Sequence, residues 1–356
     1  MKVTVAIPAY NVENYINKCL ESVIHQSLGQ EEYEIIIVDD GSDDNTKAII
    51  ASYYEQYPKL IKPVYRNVNS GGASIPRNDA MALAKGEYIF FLDADDYLAE
   101  ETLERMYHYG KQHNSDIIIG KYVGVNGRKV PKAIFENGNV PNAEIIQNSL
   151  FYALSVLKMF KLEKIKQLSL TFSKEAIVAE DQAFTVTMLC NTDRISVLAD
   201  YDCYFITKHD KGHLSDVELN APLYFELMSK IIKTIYQGSV GDLEYKHRLV
   251  GKFVTRMFRH GQFQDFYKDT KVSEAEKRNL LSLYSTFVNL HVPKQADQYV
   301  TDIFSERLKY IRENDLYKLT IGEKLIAITN VMTKLKKENK ELKKEIRMLK
   351  KKEYIN

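Results

Sequence analysis

Three carboxylates close the stretch Phe91-Leu92-Asp93-Ala94-Asp95-Asp96. At the end of an apolar run, such spacing can hold a hard divalent cation over a diphosphate, because Mg²⁺ and Mn²⁺ favour oxygen ligands and leave coordination positions for phosphate. An isolated D-x-D equally suits a solvated turn that caps the next helix, so its neighbours must decide. Arg77 lies in a Gly/Ser/Pro-rich loop, Asn69-Ser70-Gly71-Gly72-Ala73-Ser74-Ile75-Pro76-Arg77. A guanidinium there can make two parallel hydrogen bonds to a diphosphate, or simply pair with a nearby carboxylate. Glu180-Asp181-Gln182 precedes an apolar helical stretch through Phe184, Met188 and Leu189. A helix start favours an ionised acid, whether as a reactive base or as a plain cap. His209, His213 and Ser215 cluster in one short segment, and Lys252, Arg256, Arg259 and His260 recur at i, i+4, i+7 and i+8. That last spacing puts four cationic or titratable groups on one helix face, suited to a polymer of repeated phosphates or to ordinary surface pairing.

The elements that position these groups alternate over the first 120 residues. Val3 to Ile7 reads as a strand ended by Pro8, followed by a helix with Tyr15, Cys19, Leu20, Val23 and Ile24 on one face. Tyr33 to Val38 is a second strand, and Ile61 to Tyr65 a third whose Pro63 marks it as an edge. Tyr88 to Leu92 is a fourth, apolar throughout, as when helices cover both faces of a parallel sheet. The pattern predicts an α/β layered domain. In such sheets ligands bind beyond the carboxyl ends of the strands, where Pro8, Tyr10, Asp40, Asn69, Asp93 and Asp95 fall. The first strand is followed by no G-x-G-x-x-G, and no G-x-x-x-x-G-K-[ST] occurs, which argues against a dinucleotide dehydrogenase and a P-loop NTPase.

From about Pro222 the pattern turns helical, through Leu223 to Tyr236, Tyr245 to Phe263 and Glu274 to Leu290. Leu325, Met332, Asn339 and Ile346 then share one heptad position, and Ile328, Leu335, Leu342 and Leu349 the other, which predicts a terminal coiled coil. The expected division is 1–220 for the α/β domain, 221–324 for a helical domain and 325–356 for the coil.

The 356 residues carry a formal net charge of +1 and are 45% hydrophobic, within the ordinary globular range, so the whole chain is not a nucleic-acid-coating polycation. Between Lys334 and Glu353 the net charge is +6. A DNA-binding zipper would place its basic region before the heptads, whereas these lysines are interspersed among them, so self-association is the simpler reading. No nucleic-acid partner is expected. The lysine excess would also draw the assembly toward anionic lipid or a polyanionic substrate. Cys19, Cys190 and Cys203 show no metal or disulfide spacing. Without a signal-peptide pattern or a long apolar span, the expected location is cytoplasmic, with peripheral attachment at the inner membrane face left open.

The motifs Val5-Ala6-Ile7-Pro8-Ala9-Tyr10-Asn11, Ile37-Val38-Asp39-Asp40-Gly41-Ser42 and Phe91-Leu92-Asp93-Ala94-Asp95-Asp96-Tyr97, in that order, resemble the inverting glycosyltransferases of family 2, which have the GT-A fold. The resemblance implies Pro8, Tyr10 and Asp40 near the uracil of a UDP-sugar and Asp93 near its ribose. It implies Asn69 on the same donor side, Asp95 at a divalent cation (Mn²⁺ or Mg²⁺), Arg77 at the leaving group and Asp181 as general base. It also implies His213 at metal or phosphate and Ser215 at phosphate. Further segments, including Ile119-Gly120-Lys121-Tyr122 and Phe151 to Phe160, are similar to the staphylococcal wall teichoic acid ribitol-phosphate N-acetylglucosaminyltransferases, from residue 1 to about 326. That narrower resemblance implies UDP-GlcNAc as donor and poly(ribitol phosphate) as acceptor. Lys252, Arg256, Arg259 and His260 would then bind the polymer. It also implies a homotrimer, against which Asn339 at a coil core position leans toward a dimer.

Overall fold

Apolar runs at the start of the chain build parallel strands. In the computed structural model, which describes residues 1–174, 180–209 and 220–353, β1 (Val3–Ala9) pairs in parallel with β2 (Tyr33–Asp39) and β4 (Tyr88–Phe91). β2 pairs in parallel with β3 (Ile61–Tyr65), which forms one edge of the sheet as its proline predicts. Helices α1 (Ile16–Ile24), α2 (Thr46–Gln56) and α3 (Ser74–Leu83) connect these strands. Every residue of β2 and β4 is buried, as parallel strands covered on both faces require.

Pro8 does not end β1. The strand continues through Pro8 opposite Val38 and Ala9 opposite Asp39. The β1–β4 ladder stops at Ala6 with Phe91, and Ala6 faces that side by accepting from the Leu92 N–H. Pro8 faces the same way but lies past the last pair, so its missing N–H interrupts nothing.

The sheet then changes character where the sequence reading identified no strands. β5 (Tyr97–Leu98), β6 (Ile117–Val125), β7 (Met159–Lys161) and β8 (Ile195–Thr207) complete an eight-stranded mixed sheet of order β3-β2-β1-β4-β7-β6-β8-β5. β7 runs antiparallel between β4 and β6, and β8 runs parallel to β6. The β6–β8 register shifts on both sides of Lys121. Gly120 adjoins this irregularity, and a side chain there would meet Cys203 and Met106 at 2.8 Å. α4 (Thr102–Gln112), α5 (Leu162–Gln167) and α6 (Glu180–Leu189) flank the second half.

The expected helices appear as α7 (Ala221–Gln237), α8 (Leu243–His260) and α9 (Glu274–His291), followed by α10 (Asp302–Arg312) and α11 (Leu316–Glu353). The chain divides into two compact units, Met1–Leu249 and Val250–Asn356. In the second, Arg312 is a hub: it pairs with Asp297 through two nitrogens at 2.8 and 2.6 Å and donates to the Val288 and Val292 carbonyls. Leu316 and Leu319 at the start of α11 are buried, whereas Ile328, Met332, Leu335 and Leu342 are exposed. The side chains of the remaining apolar heptad residues, Leu325, Ile346 and Leu349, lie outside the described ones.

Candidate active site

The ends of β1 and β2 are laced into one platform. The Asn11 N–H donates to Ser42 Oγ at 3.0 Å, and the Asp43 N–H to Asn11 Oδ1 at 3.0 Å. Pro8 is half-buried here and Tyr10 is 46% exposed, leaving an aromatic face open to a ligand. Asp40 is buried; it ion-pairs with Arg66 at 2.9 Å and accepts from the Ser70 N–H and hydroxyl at 2.9 and 2.8 Å. Gly41 has φ +77°, and a Cβ there would come within 2.9 Å of the backbone at Val68 and Asn69, so the turn needs glycine. Asn69 accepts from the Gly71 N–H at 2.7 Å. The predicted residues of strands one to three thus gather at one edge, with Asp40 shaping the loop that carries Asn69.

The three carboxylates after β4 take three different roles. Asp96 turns inward, accepts from the Thr207 N–H at 2.7 Å and ties the loop to β8. Burial, with Asp93 and Asp95 nearby, pushes its carboxyl up to about 8. Asp93 and Asp95 remain about one-third exposed. The Asp93 N–H is fixed by the buried Tyr204 hydroxyl at 3.0 Å. Asp95 Oδ2 lies 3.3 Å from His209 Nε2, and the His209 ring packs at 3.9 Å against Tyr15. His209, whose side chain is 6% exposed, was visible in the sequence only as a neighbour of His213. His213 and Ser215 lie outside the described residues.

Among the described residues no three His, Cys, Asp or Glu side chains converge as a metal cage. The donor set nevertheless fits a divalent ion that shares its coordination with a diphosphate: two accessible carboxylates at a strand end, one beside an imidazole nitrogen.

Arg77 joins this edge to α6. Its side chain is 7% exposed; Nη2 lies 2.9 Å from Asp93 Oδ1 and Nη1 2.8 Å from Glu180 Oε1. The guanidinium is therefore a clamp between two carboxylates, one alternative the sequence left open, rather than an open fork. Asn78, the next residue, exchanges two hydrogen bonds with the Phe172 backbone at 2.9 and 2.8 Å. Phe172 stacks on Phe184 at 4.3 Å, and both meet Phe91 edge-on at 5.4 and 5.8 Å. This aromatic cluster seats the start of α6 against the end of β4, and each such pair contributes about 0.5–1.5 kcal/mol beyond area burial.

Asp181 follows Glu180 in the first turn of α6, partly buried, and accepts from the Gln182 N–H at 2.7 Å. Burial raises both carboxyls above their ordinary range, and the nearby Arg77 charge pulls both down. Raised by burial in this way, the Asp181 carboxylate is a stronger base than an exposed one, which suits proton removal. Lys158, which nothing in its local sequence marks out, is fully buried just before β7.

Lys252, Arg256, Arg259 and His260 all lie in the second unit on the half-exposed or exposed side of α8, while Phe253, Val254, Met257 and Phe258 are buried. Burial and the two arginines lower His260, which favours its neutral form.

Comparison with known proteins identifies the family and the fold. The sequence profile described as Glycosyl transferase family 2 matches residues 4–165, and that of the Glycosyl transferase TarS linker domain matches residues 222–322. The chain is 42% identical to the poly(ribitol-phosphate) beta-N-acetylglucosaminyltransferase TarP of Staphylococcus aureus, over 91% of this chain and 99% of that one. It is 38% identical to a poly(ribitol-phosphate) beta-glucosyltransferase of Bacillus spizizenii, over 91% of this chain but 50% of that longer protein. The crystal structure of S. aureus TarS 1-349 in complex with UDP-GlcNAc superposes with a TM-score of 0.83 at 32% identity, covering 90% of each chain. The chain belongs to glycosyl transferase family 2 and has the GT-A fold.

Proposed function

We propose that this chain transfers N-acetylglucosamine from UDP-GlcNAc to a ribitol hydroxyl of poly(ribitol phosphate), inverting the α-linked donor to a β-linked product. The observation that carries the reaction type is the Asp93–Arg77–Glu180 bridge, which fixes the donor-side carboxylates against the residue preceding Asp181. The match to TarP over nearly its whole length supports the donor and acceptor.

In this reading the uracil rests on Pro8 and Tyr10, Asp40 and Asn69 shape its loop, and Asp93 meets the ribose. Asp181 takes the proton of the acceptor hydroxyl as its oxygen forms the bond to the anomeric carbon; the bond to the diphosphate breaks and its electron pair leaves with UDP. Asp95, with His209 beside it, would hold a divalent cation, which when bound neutralises charge on the diphosphate. Arg77 keeps the two halves in register and adds positive charge near the leaving group. His213 and Ser215 are assigned to the diphosphate from the sequence alone. Lys252, Arg256, Arg259 and His260 hold polymer phosphates.

Self-association through the exposed apolar positions of α11 belongs to the same proposal, with a trimer favoured over a dimer. No helix among the described residues is long and apolar enough to cross a membrane. Use of a UDP-sugar supports work in the cytoplasm, with the tail lysines able to contact anionic lipid.

The test is UDP release from UDP-GlcNAc with and without purified poly(ribitol phosphate), in Mn²⁺ and in EDTA, for the protein and its Asp181→Asn variant. Acceptor-stimulated, chelator-sensitive release that falls at least about a thousandfold in the variant is expected. UDP-glucose belongs in the same assay, since the Bacillus relative is a glucosyltransferase; faster turnover of it would reassign the donor.

A further inference from the structure

Lys158 has no part in the chemistry described so far, yet a lysine is rarely sealed from water without a partner. It precedes β7, has no exposed surface, and its ammonium donates to the Ser155 carbonyl. The Tyr122 ring centroid lies 5.8 Å away. Thr185 Oγ1 donates to the same Ser155 carbonyl at 3.3 Å. Thr185 is on α6 four residues after Asp181, one turn along the same face. One backbone oxygen therefore ties the buried ammonium to the helix that presents the base.

We propose that Lys158 is a positioning residue for glycosyl transfer: anchored on the carbonyl that also seats Thr185 of α6, its charge favours the Asp181 carboxylate until the acceptor hydroxyl arrives. The proposal rests on Asp181 being the general base. Before transfer the ammonium favours the ionised carboxylate; once the carboxylate has taken the acceptor proton it is neutral and the attraction is gone.

Among the described residues, these charges act on the two groups. Burial lowers Lys158 to about 7, and Asp181 favours its protonated form. Burial, with Asp93, favours the neutral form of Asp181, and Arg77 from α3, the Gln182 N–H and Lys158 oppose it. Glu180, beside it, is ion-paired to Arg77. Among the described residues Lys158 thus supports the base together with Arg77.

Two variants separate charge from packing. Lys158→Met removes the charge and the hydrogen bond to Ser155; Lys158→Gln removes the charge but keeps a donor. The pH dependence of kcat, with donor and acceptor saturating, is followed in both, with KM for each substrate and with Asp181→Asn as control. Both variants are expected to move the acid limb of kcat upward by about one pH unit, with either KM changed less than about twofold and kcat recovering at high pH. An unmoved limb in both, or a wild-type limb restored by Gln alone, overturns the proposal; if Met packs poorly, the Gln variant carries the test. Near-normal transfer by Asp181→Asn would instead overturn the base assignment beneath it, and an inactive Asp181→Asn with unmoved limbs removes only the role of Lys158.

Discussion

Arg77 and Glu180, 103 residues apart in sequence, meet through a hydrogen-bonded ion pair of 2.8 Å at the threshold of α6. Because the same guanidinium also holds Asp93, the donor edge and the base helix cannot shift independently. Arg77→Met would leave Glu180 without its cation and free Asp93. Breaking a buried pair costs about 3–5 kcal/mol, and Asp93 is partly solvated, so about 2–4 kcal/mol is expected here. Urea unfolding checks the loss. Arg77→Lys, with a single point charge in place of the fork, should recover less than half of it; full recovery by lysine would mean that the two-sided clamp is unimportant.

Phe184 serves the same junction by packing. It contacts Phe91, Phe160 and Phe172 within 4.3–5.8 Å, one turn beyond Glu180. Phe184→Ala should cost about 3–5 kcal/mol through the cavity it opens. Phe184→Leu should cost less but still lower kcat, since α6 would no longer be seated on the β4 end. A Leu variant with reduced stability and unaltered kcat would show that the cluster supports the fold and does not position Asp181.

These two contacts mark where sequence reading stops. Strands β1 to β4 were legible because each is a short, mostly apolar run closed by turn residues, and the C-terminal helices because their apolar period is 3.6. β5 and β7, of two and three residues, are too short to show any period. β8 has exposed or half-exposed residues at Asp200, Tyr201 and Asp202 in mid-strand, which breaks its alternation. The carboxylates at strand ends were legible as chemistry, since spacing alone groups Asp93, Asp95 and Asp96. That Asp96 turns inward to Thr207, that Arg77 is a clamp, and that Lys158 is buried depend on contacts with residues far along the chain. A lysine between Leu157 and Met159 carries no local sign of such a role.

Lys158 also makes stability depend on pH in a defined direction. Its folded value of about 7 lies below the 10.5 of an ordinary lysine, so between those values the unfolded chain binds more protons than the folded one. Stability must then rise with pH across roughly pH 7 to 10.5, and the Lys158 contribution is unfavourable below that window. Compared with Lys158→Met, the parent protein should gain about 1–3 kcal/mol between pH 7 and pH 10. Melting of both proteins over that range measures the difference, and a constant gap would show that Lys158 titrates normally.

The exposed positions of α11 bear on assembly. Leu335 and Leu342 are 57% and 56% exposed and stand one heptad apart. If copies of the chain cover them, Leu335→Glu with Leu342→Glu should remove about 1.5–3 kcal/mol per buried side chain and place charges in the seam. Sedimentation equilibrium is expected to show a smaller species for the double variant. An unchanged mass would place the contact elsewhere or leave the chain monomeric.

On α8, Arg256 and Arg259 are three residues apart on the side that leaves Phe253 and Met257 in the core. Arg256→Gln with Arg259→Gln removes two charges without disturbing those apolar contacts. If the stripe holds the phosphates of the acceptor polymer, KM for poly(ribitol phosphate) should rise at least about tenfold while KM for UDP-GlcNAc changes less than about twofold. Screening gives an independent reading of the same interaction. The Debye length shortens to about 10 Å at 0.1 M salt, so added NaCl should weaken acceptor use by the parent protein more steeply than by the double variant. Equal effects on both substrates, or identical salt slopes, would make the stripe an ordinary solvated helix face and leave the polymer site to be sought on another surface of the chain.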